Sequence, residues 1–530
     1  MIQRMARTSP LMMMTKTLSQ TMRLKSTSSS TPSALSIIEN KLQTAVKSAD
    51  WKQALGTFQH FATTHPTWVQ TKHANLVLKV CAAQGRPREA KKVLHIVKSL
   101  GIQGIEEPTE GESRPLDVTA LEARALVCRA LAENGKGGEA LSKTHALVSS
   151  LDENSNLSET LPSIVYKPLL TAFKNKKDWQ HTLLAMKQMQ EFHVPISLQS
   201  YRTLFLALSI GRQQKKLVDV ALQVLESPRF QLDVPTYTVM IKTLSATGDI
   251  EAALKVIAKM QASEAADFMS TKADINLYNA MIRTNMLASN MKESRRLLNE
   301  MQTLTHIKPN DFGFTTCMLG YLAQNTPKQV TPLFEEMKRR EIAPSILTLA
   351  CVLRALQELP QKKFLLPQLI DLAKQVPLEK PDFVHTLIDA LDDIRQSETA
   401  QSVFQRALDQ DMLGDWRRGL YSINLHSFSK GSAKHAVEYT LRTILNQPKS
   451  HRKTLEVQDL KIITGKGRRS KEYLTPVVKP QIEQLLKTHF GLRSYSPAQN
   501  PGILIVEKEH LEGWINNEEG EVVPAKNDAP

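Results

Sequence analysis

Five aromatic residues recur at a nearly constant spacing, and this repeat constrains the fold more than any other feature of the sequence. They lie in the segments VYKPLLTAF, SYRTLFLAL, TYTVMIKTL, LYNAMIRTN and GFTTCMLGY, and are Tyr166, Tyr201, Tyr237, Tyr278 and Phe314. The steps between them are 35, 36, 41 and 36 residues. Each aromatic residue begins an apolar segment with helical periodicity, and a polar break and a second helical segment follow.

A repeat of this length predicts a mostly α protein, a right-handed α-solenoid of helical hairpins. Each hairpin has one apolar face that only a neighbouring hairpin can bury, so the units must stack. We predict about ten units over residues 36–413, with degenerate units near 116–151 and 346–413. At 530 residues the chain is too long for one hydrophobic core, and an array satisfies this limit.

The repeats resemble those of the pentatricopeptide repeat family. The resemblance rests on the aromatic residue of the first helix, a Gly-x-x-x-x-Ala step at the turn, and an ending such as EEMKRREIAPS. It is clearest in residues 275–310 and 311–345, and residues 72–102 also fit. The tetratricopeptide family has a similar period of about 34 residues, but its W-x-x-L-G-x-x-Y signature is missing.

This resemblance implies binding of single-stranded RNA, with one base for each repeat. In the family the base is read by the residue after the aromatic residue and by the residue that closes the unit. The corresponding pairs here are Thr238 with Asp274, Asn279 with Asn310, and Thr315 with Ser345. The family's preferences imply G, then a pyrimidine, then a purine, from 5′ to 3′. For each of these polar residues a role as a helix cap or in a solvated face remains an alternative.

The C-terminal part of the chain departs from the helical pattern. Residues 418–429 alternate and predict a strand, 430–447 predict a helix, and 459–463 predict a second strand. A second helix within 474–490 and a closing strand at 500–507 complete a β-α-β-α-β order. We therefore predict a small α/β sandwich domain over residues 418–516.

Positive charge is concentrated in the same region. The net charge of the whole chain is +15, and residues 417–493 contribute +11 of it. Such a basic block is typical of contact with nucleic acid. The loop after the second predicted strand combines backbone N–H groups with cations, which suits phosphate binding. Its residues are Thr464, Gly465, Lys466, Gly467, Arg468, Arg469 and Lys471. The loop is not a Walker-type P-loop, since no glycine lies five residues before Gly465.

The segments INLHSFS, IITGKG and NPGILIV together resemble the small MutS-related (Smr) domain. Helical repeats followed by this domain make the chain similar to organellar PPR–SMR proteins. Smr domains bind nucleic acid, and several cleave it. Their first motif is usually L-D-x-H, but here Asn424 replaces the aspartate, and an amide is a poor base and a poor ligand for a hard metal ion. His426 is therefore the only candidate catalytic residue that matches the motif. Mg²⁺ would be a cofactor only if the domain cleaves RNA, and no metal site is otherwise predicted.

The N-terminal residues 1–35 contain five basic residues and no acid, and are rich in Ser and Thr. This composition is typical of an organelle transit peptide, and favours a mitochondrion over a plastid. Residues 517–530 form an acidic tail. Four widely spaced cysteines, Cys81, Cys128, Cys317 and Cys351, are expected to be reduced core thiols. No apolar segment is long enough to span a bilayer.

The sequence thus predicts an organellar protein that binds single-stranded RNA selectively and acts in RNA processing, stabilisation or translation. Its basic C-terminal domain would contact the same RNA. Two alternatives remain open at this stage. One is a site-specific endoribonuclease guided by the repeats, and the other is a scaffold that binds a mitoribosome or RNA-processing proteins.

Overall fold

The computed structural model describes residues 34–102, 118–151, 160–262, 273–447, 457–465 and 477–518. α-Helices dominate these ranges, so the prediction of a mostly α protein is confirmed. The chain divides into two compact units, residues 1–217 and 218–530. Residues 1–33 of the predicted transit peptide (1–35) and residues 519–530 of the predicted acidic tail (517–530) lie outside the described residues. Residues 34–35 and 517–518 belong to helices.

The first unit contains consecutive helix pairs. In each pair before residue 198 the second helix packs against the first, and the successive first helices up to residue 210 pack against one another. The helices are α1 (Ala34–Lys47), α2 (Trp51–Thr64), α3 (Thr71–Ala83), α4 (Pro87–Ser99), α5 (Val118–Glu133), α6 (Gly137–Ser149), α7 (Lys167–Asn175), α8 (Trp179–Glu191) and α9 (Leu198–Ile210). Helix α10 (Gln214–Glu226) spans the division between the units.

The second unit continues the same arrangement and adds a small sheet. Its paired helices are α11 (Val234–Thr247), α12 (Ile250–Ala262), α13 (Ile275–Leu287), α14 (Met291–Thr303), α15 (Asp311–Ala323), α16 (Val330–Arg339), α17 (Ile346–Gln357), α18 (Leu366–Gln375), α19 (Pro381–Asp393) and α20 (Ser397–Asp409). The first helices α11, α13, α15, α17 and α19 again stack on one another. Helices α1 to α20 thus follow as ten pairs in the described part of the chain, which agrees with the predicted number.

Four of the five repeating aromatic residues are buried, and the fifth, Tyr201, is half-buried. Tyr278 and Phe314 are each the fourth residue of their helix and are completely buried. The helices therefore begin three residues before the aromatic residue, because a polar N-cap residue starts each one. Burying such a side chain contributes about 2 kcal/mol, so the repeated aromatic position is a main source of stability.

A left-handed residue recurs in the turn of most pairs and reverses the chain. Ala49, Lys177, Arg212 and Ser289 have φ between 53° and 61°, each two residues before the second helix begins. Gly85 takes the same place between α3 and α4, with φ of 60°. A Cβ atom at Gly85 would lie 2.8 Å from the Glu133 carbonyl oxygen, so that turn requires glycine for close packing as well.

The C-terminal elements follow the predicted order. They are β1 (Ser422–Asn424), α21 (Lys430–Leu445), β2 (Leu460–Ile463), α22 (Val478–His489), β3 (Ile503–Val506) and α23 (Lys508–Glu518). The sheet order is β1-β2-β3, with β1 parallel to β2 and β2 antiparallel to β3. The predicted strand over 418–429 was too long. The chain turns after Leu425, where the Phe428 N–H donates to the Leu425 carbonyl, and Ser429 caps α21. Helix α23 was not predicted.

Helix α21 packs against α19, so the last helix pair and the C-terminal elements share an interface. Asp389 of α19 accepts hydrogen bonds from the Gly431 N–H and the Ser429 hydroxyl, both at 2.8 Å. Asp392, one turn later, lies 3.0 Å from His435 Nε2 and 3.3 Å from Lys434 Nζ. Two carboxylates of the last repeat thus bind the N-terminal half of α21.

All four cysteines are buried and free. Burial raises the pKa of the Cys81 thiol to about 11 and that of the Cys317 thiol to about 12, so both are protonated at neutral pH. Within the described ranges, no helix combines the length and apolar character that crossing a bilayer requires.

Candidate nucleic-acid interface

The residues predicted to close each repeat are the N-cap residues of the next first helix. The Asp274 carboxylate accepts from the Leu277 N–H at 2.8 Å, and the Ser345 hydroxyl accepts from the Thr348 N–H at 3.4 Å. Asn310 caps α15 without a side-chain hydrogen bond to that helix. The capping role that the sequence left open is therefore present at Asp274 and Ser345, while the amide of Asn310 is available for other contacts.

Asn279 and Asn310, predicted as one reading pair, are in contact. The Asn279 Nδ2 group donates to Asn310 Oδ1 at 3.3 Å. Asn279 is only 7% exposed, and its Oδ1 atom is buried without a hydrogen-bond partner. A buried acceptor without a partner costs about 1–3 kcal/mol, which a ligand that donates to it would recover.

The other two predicted pairs differ from this one. The Thr315 and Ser345 hydroxyls do not meet directly, but both contact the Thr348 hydroxyl, at 2.7 and 3.0 Å. The Thr238 hydroxyl donates to the Val234 carbonyl of its own helix at 2.8 Å. Both threonines are buried. Their hydroxyl groups are satisfied within the protein, so a base would have to compete with these contacts.

A cleft of about 460 Å³ lies over the Asn279–Asn310 pair. Its walls come from α11, α13 and the start of α15. The side chains that define its chemistry are Lys242, Asn276, Asn279, Arg283, Asn310 and Phe312. Phe312 is 39% exposed, which is unusual for a phenylalanine in a helix of this array. The cleft thus combines an amide pair, an aromatic ring and two cations.

Phe312, Lys242 and Arg283 are not among the residues that the sequence predicts for the site. Phe312 lies two residues before Phe314, the repeating aromatic residue. Two residues apart on a helix, the side chains point in nearly opposite directions, so Phe312 points away from the buried side of α15. Lys242 and Arg283 each lie four residues after a predicted reading residue, Thr238 and Asn279. That i, i+4 register is a signal in the sequence that could have revealed both cations.

The C-terminal motifs meet at the edge of the sheet. A Cβ atom built on Gly465 would lie 3.4 Å from His426 Cβ, so the loop after β2 and the end of β1 are adjacent. Gly465 has φ of 79°, and Thr464 donates to the Gly502 carbonyl at 3.2 Å. The other predicted phosphate-binding residues, Lys466, Gly467, Arg468, Arg469 and Lys471, lie outside the described residues.

Asn424 fixes the orientation of the exposed His426 ring. Its Oδ1 atom accepts from the His426 backbone N–H at 3.4 Å and contacts His426 Nδ1 at 2.8 Å. Since a backbone N–H can only donate, the shared Asn424 atom is an oxygen, and Nδ1 carries the proton. Among the described residues, Nε2 of His426 has no hydrogen-bond partner. Within the described ranges no group of three or more His, Cys, Asp or Glu side chains is placed to hold a metal ion.

Comparison with known proteins supports repeats of the pentatricopeptide type. A family model described as "Pentatricopeptide repeat-containing protein" matches residues 148–260, and the "PPR repeat" model matches residues 73–102 and 277–304. These matches cover less than half of the chain. The pentatricopeptide repeat-containing protein At1g18900 of Arabidopsis thaliana is 31% identical over 140 residues. That alignment covers 26% of this chain and 16% of the length of the relative.

Solved structures of similar architecture have low structural similarity scores. The pentatricopeptide repeat protein PPR10 from maize has a TM-score of 0.40 at 16% identity, over 83% of this chain and 68% of its own. PPR10 in complex with an 18-nt psaJ RNA element has a TM-score of 0.33 at 13% identity, over 72% and 61%. Yeast Rmd9p in complex with a 16-nt target RNA has a TM-score of 0.29 at 9% identity, over 77% and 89%. None of these values is high enough to carry an argument about this chain.

Proposed function

We propose that this protein binds single-stranded RNA and selects bases through the row of first helices in its second unit. The observation that carries the proposal is the cleft at Asn279 and Asn310, where a buried amide pair with an unpartnered oxygen lies beside an exposed aromatic ring. The pentatricopeptide-type repeats support the same function.

The Asn279 and Asn310 amides together can hydrogen-bond to the edge of a base, whichever of the two amides donates to the other. The Asn279 Nδ2 group donates to Asn310 Oδ1, so the Asn279 oxygen remains as an acceptor and the Asn310 amide nitrogen remains as a donor. Uracil presents the complementary combination as N3–H beside O4 and cytosine as N4–H beside N3, but adenine (N6–H beside N1) and guanine (N1–H beside O6) present it too. The pyrimidine preference is therefore proposed from the resemblance of these repeats to the pentatricopeptide family, and the amide pair supplies the base-edge contact. Phe312 supplies a face on which the same base can stack, and such stacking is worth about 1–3 kcal/mol per base.

The selectivity test uses the full chain and short single-stranded RNAs that contain G, a variable base and a purine. The unmodified protein is expected to prefer C or U at the variable position. Asn279→Ala removes the donor–acceptor combination, so we expect the preference over A and G to fall by about tenfold. Equilibrium binding measured by fluorescence anisotropy checks this prediction.

Asn299→Ala is the matched control, since Asn299 is an exposed asparagine on α14, the second helix of the same pair. This variant should bind like the unmodified protein. Absence of any preference for single-stranded RNA over a polyanion such as heparin would contradict the proposal. In that case the repeats would serve as a protein-binding scaffold, for example on a ribosome or with RNA-processing proteins.

We propose that the C-terminal elements form an Smr-like domain that binds the RNA next to the segment bound by the repeats. The adjacency of His426 and Gly465 supports an Smr-like arrangement of the two motifs, and the basic charge of residues 417–493 supports RNA contact. Replacing Lys466, Arg468 and Arg469 by alanine should weaken binding to all RNA sequences alike and reduce its salt dependence. An unchanged salt dependence would exclude this loop from the RNA interface.

The alternative of RNA cleavage has one favourable observation, the exposed His426 ring, which Asn424 orients beside the Gly465 loop. Incubating the full chain with end-labelled RNA, with and without Mg²⁺, tests this activity. Products that disappear in His426→Ala would establish a nuclease, and their absence would leave a binding domain.

We propose a mitochondrial location, because residues 1–35 have a transit-peptide composition. Fusing these residues to a fluorescent protein should direct it to mitochondria. Import into plastids instead would assign the other organelle, and a diffuse signal would contradict an organellar location.

A further inference from the structure

Two cations lie on one wall of the cleft in the second unit. Lys242 of α11 and Arg283 of α13 are both exposed, and within the described ranges neither has an ion-pair or hydrogen-bond partner. No acidic side chain lines the cleft. Most other arginines on nearby helices are paired, for example Arg295 with Glu336 at 2.6 Å and Arg296 with Glu293 at 2.7 Å. The two cleft cations are therefore available for an anionic ligand.

Their position relative to the reading residues is the same on both helices. Lys242 and Arg283 lie one helical turn beyond Thr238 and Asn279, on the same helix face. Helices α11 and α13 pack side by side, and the axes of packed helices are about 8–10 Å apart. The long arms of a lysine and an arginine can bridge this distance, so the two charges can engage neighbouring groups of one extended ligand.

The cation pair is local to these two helices. The corresponding position of α15 is Leu319, that of α17 is Arg354, and that of α19 is Asp389, which accepts from the Gly431 N–H. In the second unit, two adjacent first helices therefore both have a cation at this position only at α11 and α13. The cleft thus has two chemically different ends. Asn310, Asn276 and Phe312 lie toward the N-terminal ends of the first helices, and the cations lie toward the C-terminal ends.

We propose that Lys242 and Arg283 form a phosphate-binding site for the RNA backbone. The site fixes the direction from which a base enters, because the sugar–phosphate chain lies on the cation side and the base edge points to the amide pair. This inference rests on the proposed function of the same cleft, and it adds the residues that hold the backbone. Neither cation reads a base, so they contribute affinity without selectivity.

The test measures affinity of the full chain for single-stranded RNA at several KCl concentrations. Each phosphate contact on a single strand contributes about 0.7 to the slope of log affinity against log salt. The double variant Lys242→Ala with Arg283→Ala should therefore lower the slope by about 1.4. At 0.1 M salt the same relation predicts about 25-fold weaker binding. The preference for a pyrimidine should stay unchanged.

Lys255→Ala with Lys259→Ala is the matched control. It removes the same number of charges from α12, whose two lysines are exposed on a second helix and do not line the cleft. This control should keep most of the slope of log affinity against log salt. Arg283→Lys keeps the positive charge and should keep this slope as well, which shows whether the charge or the guanidinium geometry matters.

The outcomes distinguish this inference from the proposed function. If the unmodified chain binds RNA with a base preference and the double variant keeps its slope and affinity, the phosphate site is wrong while the proposed function stands. If the unmodified chain shows no RNA binding, both are wrong. Equal loss of affinity for poly-aspartate and for RNA would also overturn the inference, because the cations would then be a general anion surface.

Discussion

At the scale of single residues, the candidate interface depends on how far each polar side chain reaches. An asparagine at the reading position extends to the neighbouring first helix, where Asn279 meets Asn310. A threonine at the same position is shorter, and its hydroxyl is satisfied within the protein: Thr238 donates to its own helix, and Thr315 contacts Thr348 of the neighbouring first helix. Units with asparagine and units with threonine therefore offer a base different degrees of access.

Phe312 is expected to contribute to RNA binding more than to folding. Phe312→Ala should weaken binding of the preferred RNA by about tenfold, since a stacked base is worth about 1–3 kcal/mol. The stability should change little, because a large part of this ring is exposed in the free protein. Affinity by calorimetry and a thermal melt by circular dichroism measure the two effects. Phe364→Ala, at a 67% exposed ring elsewhere, is the control and should leave binding unchanged.

Gly313 is expected to be a positioning residue for Asn279. A Cβ atom at this position would lie 3.3 Å from Asn279 Oδ1 and 3.1 Å from Leu298 Cδ1. Gly313→Ala should displace the Asn279 amide and reduce the pyrimidine preference several-fold. Gly56→Ala, where nothing lies within 4 Å, should not alter binding. An unchanged preference in Gly313→Ala would show that the Asn279 amide is not held at this place.

The sequence identified the positions of the candidate site but not its contacts. The positions of Asn279 and Asn310 within their repeats already place them on the same face of the stacked first helices, because the repeat period is nearly constant. It does not show that Thr238 and Thr315 are satisfied internally, since that depends on packing between helices. Nor does it show that Phe312 is exposed, because an apolar residue in an apolar segment is normally assigned to the core.

At the scale of elements, the interface of α19 with α21 contains the most unusual electrostatic group of the second unit. His435 is 1% exposed and lies between Asp392 and Glu438, at 3.0 and 3.2 Å. Burial alone would lower the pKa of His435, but the two carboxylates outweigh this effect and raise it above the ordinary value of 6.5. His435 therefore keeps its proton to a higher pH in the folded protein than an ordinary histidine does, and Lys434 shares the Asp392 carboxylate with it.

This arrangement predicts a pH-dependent stability of α21. Because the pKa of His435 is raised in the folded state, its contribution to the free energy of unfolding is complete below pH 6.5. This contribution is lost as the pH rises through the raised pKa. His435→Gln should destabilise α21 by about 3 kcal/mol at pH 6, and by less at pH 9. Hydrogen exchange of residues 430–445, corrected for the intrinsic rate at each pH, measures this difference. A difference between the two proteins that does not change with pH would contradict the assignment.

The elements themselves were largely predictable. Apolar periodicity gave the first helix, the break and the second helix of each pair, because this pattern is local. The left-handed turn residues were not predictable in the same way. Lys177, Arg212 and Ser289 are not glycine, and they adopt positive φ because the packing of the two helices requires the reversal. The short β1 was overestimated, since alternation continues into a turn that only tertiary contacts reveal.

At the scale of the whole molecule, the described interface predicts that the C-terminal elements depend on the last helix pair. A fragment of residues 381–518 keeps Asp389 and Asp392 with their partners on α21, whereas a fragment of residues 418–518 lacks both carboxylates. The shorter fragment should therefore melt at a lower temperature, because Lys434, His435 and the start of α21 lose their acceptors. Circular dichroism of the two fragments checks this, and equal melting temperatures would show that the domain is independent.

The glycine at the start of α21 has a consequence for how such arrays can change in length. Gly431 allows the helix to approach Asp389 and Asp392 so closely that a Cβ atom would lie within 3 Å of both carboxylates. A hairpin inserted by gene duplication between Asp409 and Ser422 would have to reproduce both acids at the same register, or leave the incoming backbone without acceptors. New repeats can therefore be added more easily upstream of α19. The last helix pair has to stay in place, because its Asp389 and Asp392 bind the start of α21.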